Sequence, residues 1–175
     1  MDHYQYQKRR VACIRVEPYL AQYAMRKFKT DSHTGGLIIP DSLDLYHCVW
    51  SVMARRPLGA AVQDGCNLKI FLPFRRSADG VPCKHPAYWN YISPRNAHFI
   101  EKSLRRLFNW EFHEWCEDLV SRGVTKKEAV DRFISRYSLG LDCEDALLKN
   151  LQRYERTVRT FLCITKRKNK KKEKI

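Results

Sequence analysis

The alternation of apolar and polar positions near the start of the chain predicts short strands and helices. Residues 11–16 alternate and are rich in β-branched side chains, which is the pattern of a strand. Pro18 suits the first turn of a helix, and a second amphipathic helix follows Asp41, a good N-cap. Residues 68–74 alternate again. We therefore expect a small β-α-α-β unit over residues 10–75.

Beyond residue 92, apolar residues recur at helical spacing, and the helix ends carry recognisable signals. Ser93 followed by Pro94 predicts a helix start, with Ser as N-cap and Pro in the first turn. Thr125 and Glu128 form a capping box. Gly140 lies where it would end the helix that this box begins. These signals predict two helices before the last part of the chain.

A last helix would begin at Asp142 or Glu144 and carry one apolar stripe. The stripe recurs at every third or fourth position, so its members are expected to be buried together. They are Leu147, Leu151, Tyr154, Val158 and Phe161. After Thr165 the composition becomes lysine-rich and of low complexity, which predicts a disordered tail.

The expected fold class is therefore α+β, with a small N-terminal β-α-α-β unit followed by a mainly α-helical region and a disordered basic tail. An irregular connection over residues 76–92 would lead to the helical region over 93–164, and the tail would cover 165–175. No apolar run approaches the roughly 18–20 residues of a membrane span, and the polar N-terminus is no secretory signal. We expect a cytoplasmic protein, associated with the nucleoid in a bacterial cell, without membrane contact.

The charge of the chain indicates what class of partner the protein binds. The chain has 33 Lys and Arg against 19 Asp and Glu, a formal net charge of +14. Residues 149–175 hold eleven of those cations against two acids, which is +9 of the total. Lysine runs at chain ends are often only solubilising tails, but here the charge begins within the predicted helix. This distribution predicts a polyanionic partner, nucleic acid above all.

The last helix presents its cations at a helical period. Lys149, Arg153, Arg156 and Thr160 recur on a face other than the apolar stripe, where Arg would suit base edges and Lys phosphates. Asn150, Arg153 and Arg156 are the candidates for base or phosphate contact. The full set of candidate nucleic-acid-binding residues is Lys149, Asn150, Arg153, Arg156, Thr157, Arg159, Lys166, Arg167, Lys168, Lys170, Lys171 and Lys172, with Arg105 and Arg106 on the helix that begins at Pro94.

Residues 125–159 resemble a helix-turn-helix DNA-binding module: a capped helix, a break around Gly140, then a basic helix. The resemblance is generic and covers about 35 residues, and it names no specific family. The break over residues 138–144 is longer than usual for such a module. The resemblance implies that the last helix docks on duplex DNA. It also implies packing positions, which would be Ala129, Val130, Phe133, Leu147 and Leu151.

Other groups of residues were considered as base-stacking, metal-binding or catalytic sites. Residues 88–91 (YWNY) lie among cations, and such aromatics stack on unpaired bases, although aromatics in a loop more often pin it to the core. Cys66, Cys83 and His85 are the best metal candidates, but none of the seven scattered cysteines forms a CxxC pair. No catalytic motif occurs. We therefore expect no enzymatic activity, no cofactor and no metal.

The expected function is a non-enzymatic DNA-binding protein, such as a transcriptional regulator or an accessory protein of a phage or mobile element. Duplex DNA is favoured over RNA as the partner, and a homodimer would be compatible with such a module. Two alternatives remain open: an RNA-binding or ribonucleoprotein component, and a protein-interaction subunit of a nucleic-acid machine. The N-terminal unit shows no feature beyond a core and caps.

Overall fold

The computed structural model describes residues 11–59, 65–74 and 84–172, with side chains as far as residue 161 except that of residue 141. The described strands are β1 (Val11–Ile14), β2 (Lys29–Thr30), β3 (Leu37–Ile38) and β4 (Leu68–Phe71). The described helices are α1 (Pro18–Lys27), α2 (Asp44–Val52), α3 (Pro94–Ser121), α4 (Lys126–Tyr137) and α5 (Glu144–Lys172). The chain divides into unit 1, residues 1–108, and unit 2, residues 109–175. The α+β class with a mainly helical C-terminal region is confirmed.

Unit 1 is built on a sheet with the strand order β1-β4-β3-β2. β1 pairs antiparallel with β4, which places Ile14 opposite Leu68. β2 and β3 form an antiparallel hairpin, whereas β3 and β4 are parallel. A parallel pair needs a crossover rather than a tight turn, and α2 lies within that connection. The sheet therefore joins the two ends of the predicted β-α-α-β unit.

The core of unit 1 lies between this sheet and apolar helix faces. Ile14, Leu20 and Tyr23 are fully buried, and so is Ile100 near the start of α3. The ring of Tyr23 packs edge-on against Phe108, with 5.1 Å between the ring centroids. Such edge-to-face pairs are a favoured aromatic arrangement. Burial alternates along β1, so the predicted alternation is that of a strand with one buried face.

Two details of unit 1 differ from the sequence prediction. β2 was not expected, because Lys29 and Thr30 are both exposed and leave no apolar alternation. Asp41 is not the N-cap of α2: the helix begins at Asp44, and Leu43 occupies the cap position without a side-chain hydrogen bond. The backbone N–H of Leu43 instead donates to the carbonyl of Pro40, so Asp41 lies within a turn that precedes the helix.

The two predicted helix starts are confirmed by their hydrogen bonds. The Ser93 hydroxyl accepts from the backbone N–H of Asn96 at 3.2 Å, with Pro94 as the first residue of α3. The Thr125 hydroxyl accepts from the backbone N–H of Glu128 at 3.3 Å, which begins α4. The carboxylate of Glu128 does not complete a reciprocal box in the hydrogen bonds described, because it accepts from Arg132. Each cap satisfies one N–H that a helix start leaves unpaired.

The end of α4 differs from the prediction, which placed the stop at Gly140. Ser138 takes the left-handed conformation, with φ of 51° and ψ of 44°. The N–H of Ser138 donates to the carbonyl of Ser135, and the N–H of Leu139 donates to that of Ile134. This is the Schellman pattern, with a serine in the position that usually holds glycine. Leu139 is buried, and this packing holds the serine in its strained conformation.

α5 is longer than predicted. The expectation of a disordered tail after Thr165 is wrong for residues 165–172, because α5 continues as far as Lys172. The stretch contains no Gly or Pro, and Lys and Arg are good helix formers that suit the negative end of a helix dipole. Residues 173–175 lie outside the described residues.

The expected connection over residues 76–92 lies only partly within the described residues, since 75–83 are outside them. Its last part is irregular, with a turn and an isolated bridge between Tyr91 and Ala54. The two units divide between Phe108 and Asn109, inside α3, rather than in this connection. α3 has no Gly or Pro after Pro94, so a single continuous helix contributes residues to both units.

Candidate nucleic-acid interface

One face of α5 carries the cations that the sequence analysis singled out. Lys149, Arg153, Arg156 and Arg159 are all exposed. The first three lie one above the other, because residues three and four positions apart share a helix face. At about 1.5 Å per residue, this row extends over roughly 10 Å of the helix. The row faces away from the stripe that packs into unit 2.

Among the lysines and arginines of unit 2 whose side chains are described, these cations have neither an ion-pair partner nor an aromatic ring beside them. Arg136 lies over the ring of Trp115, at 4.9 Å from its centroid. The remaining pairs are Arg122 with Asp118, Lys126 with Glu155, Lys127 with Glu144, and Arg132 with Glu128, at 2.8, 2.6, 3.6 and 2.6 Å. Glu155, the one acid of α5 beyond Lys149 within the described side chains, is thereby directed at α4. The exposed row of α5 keeps its positive charge.

The buried side of α5 is shorter than the apolar stripe suggested. Leu147 and Leu151 are buried, and Tyr154 and Val158 are half-buried. Phe161 is 69% exposed, so the prediction that it belongs to the buried face is wrong. Within the described side chains, the core of unit 2 therefore packs against the first turns of α5 and ends before Phe161. The period of a stripe does not tell how far a partner helix extends alongside it.

Asn150 lies at the edge of the packed side, and its amide is engaged inside unit 2. Its Nδ2 donates to Oδ1 of Asn109 at 3.1 Å, and its Oδ1 lies 2.8 Å from Nε2 of His113. The His113 ring is also stacked on Tyr154, with centroids 3.9 Å apart. Asn150 thus joins α5 to α3, and this use of the amide competes with the base contact predicted for it. Sequence reasoning missed His113, whose only signal is its place four residues after Asn109.

Two further candidates have intramolecular partners. The hydroxyl of Thr157 donates to the backbone carbonyl of Arg153 at 3.0 Å. In unit 1, the guanidinium of Arg105 contacts the carboxylates of Glu17 at 2.9 Å and Glu101 at 2.8 Å. A guanidinium held by two carboxylates is poorly placed to bind a phosphate. Arg106, its neighbour, is exposed.

The remaining candidates lie beyond the described side chains. They are Lys166, Arg167, Lys168, Lys170, Lys171 and Lys172, and the helical backbone of α5 includes all of them. Positions 167 and 171 continue the register of positions 149, 153, 156 and 160. The row of cationic positions on α5 therefore does not end with the described side chains.

The cysteine and histidine candidates for metal binding are only partly within the described residues. No group of three or more His, Cys, Asp or Glu side chains there is arranged to hold a metal ion. Cys83 lies outside the described residues, and His85 accepts a hydrogen bond from the N–H of Ala87 through Nδ1. Burial raises the pKa of the Cys116 thiol to about 12, which disfavours a nucleophilic thiolate. None of the described helices has a stretch both long and apolar enough to cross a membrane.

Comparisons of the chain with known protein families, with curated proteins and with solved structures found no match. The functional interpretation therefore rests on the geometry and charge of α5.

Proposed function

We propose that this protein binds nucleic acid without enzymatic activity and docks the exposed face of α5 on duplex DNA. The observation that carries this proposal is the row formed by Lys149, Arg153 and Arg156: exposed, periodic, and without ion pairs among the described residues. Exposed charges that a fold does not neutralise internally are the electrostatic footprint of a polyanion site. A regulator of transcription or an accessory protein of a phage or mobile element would use such a surface.

The dimensions of α5 suit a groove of duplex DNA. The major groove is about 12 Å wide and admits one α-helix. Arg153 and Arg156 can each contact a guanine edge or a phosphate through two parallel N–H groups, while Lys149 and Arg159 suit phosphates. The preceding helix α4 packs against α5, and three of its four cations are paired with carboxylates. This division of roles matches a helix-turn-helix module, in which the second helix enters the groove.

The cationic positions from 166 to 172 would add affinity without sequence information. Each phosphate neutralised makes the slope of log K against log salt concentration more negative by about 0.9 for duplex DNA. Binding that engages several of these residues is therefore expected to be strongly salt-dependent. Cytoplasmic localisation, in the compartment of a bacterial nucleoid, is part of the proposal.

The test is duplex binding by the full chain and by the double variant Arg153→Ala/Arg156→Ala, measured by fluorescence anisotropy over a salt series. We expect the affinity to fall at least about tenfold at moderate salt and the magnitude of the salt slope to fall by about 1.8, because two contacts are lost. Both residues are exposed, so the thermal unfolding midpoint should be nearly unchanged.

The matched control is Arg122→Ala/Arg132→Ala, which removes the same charge from the same unit. Both of these arginines are exposed but paired with carboxylates four positions earlier in the chain. The control should change duplex affinity by less than about twofold, since the paired charge is already neutralised. Equal losses in the two double variants would show that only net charge matters and would overturn the proposal.

Single-stranded DNA and RNA measured in the same series separate the duplex proposal from its alternatives. A preference for RNA over duplex DNA would favour a ribonucleoprotein component. Unchanged affinity for every nucleic acid in the Arg153→Ala/Arg156→Ala variant would favour a protein-interaction subunit.

A further inference from the structure

A second cationic surface lies in unit 1, just after α2. A hollow of about 620 Å³ is lined by Arg55, Arg56, Ala87, Tyr88 and Asn90. Tyr88 is 70% exposed, and both arginines are exposed as well. The hollow therefore offers one open aromatic face next to two guanidinium groups. This combination is distinct from the row of cations on α5.

The surrounding chain is depleted in acids. Between Ser51 and Ile100 the sequence has seven Lys and Arg against two acids, Asp64 and Asp79. Neither acid belongs to the described residues, and Arg55 forms no ion pair within the part of the chain that the structure describes. A local positive field of this kind attracts a phosphate.

Hydrogen bonds between residues 84–91 and residues 50–54 hold the walls of the hollow in place. Nζ of Lys84 lies 3.1, 2.7 and 3.2 Å from the carbonyl oxygens of Trp50, Ser51 and Met53, and thus caps the C-terminal end of α2. Ala54 and Tyr91 exchange two backbone hydrogen bonds, of 2.9 and 3.1 Å. These bonds fix residues 84–91 against the end of α2. The Lys84 ammonium group is used in them and is not one of the cations offered to a ligand.

The aromatic residues of this segment divide between frame and surface. The ring of Trp89 is half-buried and has Lys84 Nζ and the Arg55 guanidinium each 5.4 Å from its centroid. Trp89 therefore positions Arg55 beside the hollow through a cation–π contact. Tyr88, in contrast, points its ring to the surface, with His85 as a tilted neighbour at 6.0 Å. The contacts with Lys84 and Arg55 account for the position of the Trp89 ring. The Tyr88 ring leaves most of its surface open to a ligand.

We propose that this hollow binds an unpaired nucleotide of a single-stranded nucleic acid. The base would stack on the Tyr88 ring, and the adjoining phosphate would lie against the guanidinium of Arg55, with Arg56 at the rim. Aromatic faces beside cations are the means by which proteins hold unpaired bases. The site is independent of duplex docking by α5, so either proposal can fail without the other.

The experiment compares two probes of equal phosphate number: a single-stranded oligothymidylate, and an abasic strand of the same length that has nothing to stack. Anisotropy measurements use the full chain carrying Arg153→Ala/Arg156→Ala, which reduces the contribution of α5. We expect a preference of about 5- to 100-fold for the strand with bases. Tyr88→Ala should abolish this preference, and Tyr88→Phe should keep it because the ring remains. Arg55→Gln should weaken binding of both strands.

The control for exposed aromatic surface is Phe99→Ala, also in unit 1 and 49% exposed, which should leave the preference intact. A preference that survives Tyr88→Ala, or one that Phe99→Ala removes equally, would overturn the proposal. Competition by free thymidine monophosphate at the same nucleotide concentration as the oligothymidylate would also overturn it, since the ligand would then be a free nucleotide. Duplex affinity of the chain with Arg153 and Arg156 intact should not change in Tyr88→Ala.

Discussion

Helices α4 and α5 of unit 2 are both basic and amphipathic, yet the fold uses them differently. α4 buries five residues and has a carboxylate or an aromatic ring beside each of its cations. α5 buries Leu147 and Leu151 within its described part, and its row of cations has no such partners there. The comparison teaches that positive charge in a sequence is not the same as positive charge available to a ligand. Only the packing around each helix distinguishes the two.

The largest expected difference between the helices concerns their apolar residues. Phe133 of α4 is fully buried and packs against Phe112 and Tyr137, with ring centroids 5.1 and 4.8 Å away. Phe133→Ala should lower the free energy of unfolding by about 3–5 kcal/mol, because it leaves a cavity. The matched variant on α5, Phe161→Ala, should cost no more than about 0.5 kcal/mol. Urea unfolding followed by circular dichroism measures both, and similar losses would contradict the exposure of Phe161.

A smaller effect on stability is expected for Asn150, which lies at the edge between the packed and the exposed side of α5. Asn150→Ala should lower the free energy of unfolding by about 1–2 kcal/mol, because Asn109 and His113 lose a shared hydrogen-bond partner. Gln152→Ala, an exposed amide on the same helix, serves as control and should be nearly neutral. If Asn150→Ala instead leaves stability unchanged and weakens duplex binding, then Asn150 is a DNA contact, as the sequence first suggested.

The smallest expected effect concerns the residue that ends α4, between the two helices. Ser138→Gly should raise the free energy of unfolding by about 0.5–1 kcal/mol, since glycine removes the Cβ strain of the left-handed conformation at some entropic cost. Gly140→Ala should be neutral or slightly stabilising, because a Cβ there meets nothing within 4 Å. Thermal unfolding of the two variants decides which residue ends α4. A loss of stability in Gly140→Ala alone would restore the sequence prediction.

Much of the local structure could be predicted because its causes are local. The strand at residues 11–14, the cap at Ser93 and the cap at Thr125 each depend on a few neighbouring side chains. The predictions failed where a distant partner decides. Lys29 and Thr30 form a strand only because Leu37 and Ile38 pair with them. The α+β class itself followed from the change of period along the chain.

The features of the candidate site were likewise predictable where their cause is local and not where it is distant in the chain. The period of Lys149, Arg153 and Arg156 was sufficient to place them on one face of a helix. No local signal could show that Arg105 is held by Glu17, a residue 88 positions earlier, at 2.9 Å. The hollow beside Tyr88 likewise needs Arg55, which approaches Trp89 only in the folded chain.

The sequence by itself determined the helical and strand periods, two helix caps and the concentration of charge in the last helix. These depend on backbone geometry and on side chains within about one helical turn. The tertiary structure alone decided the strand order, the end of the buried stripe before Phe161, and which cations meet a carboxylate. Those outcomes depend on which surfaces meet across long separations in the chain, and a periodic pattern records that a face is apolar or charged without recording its partner.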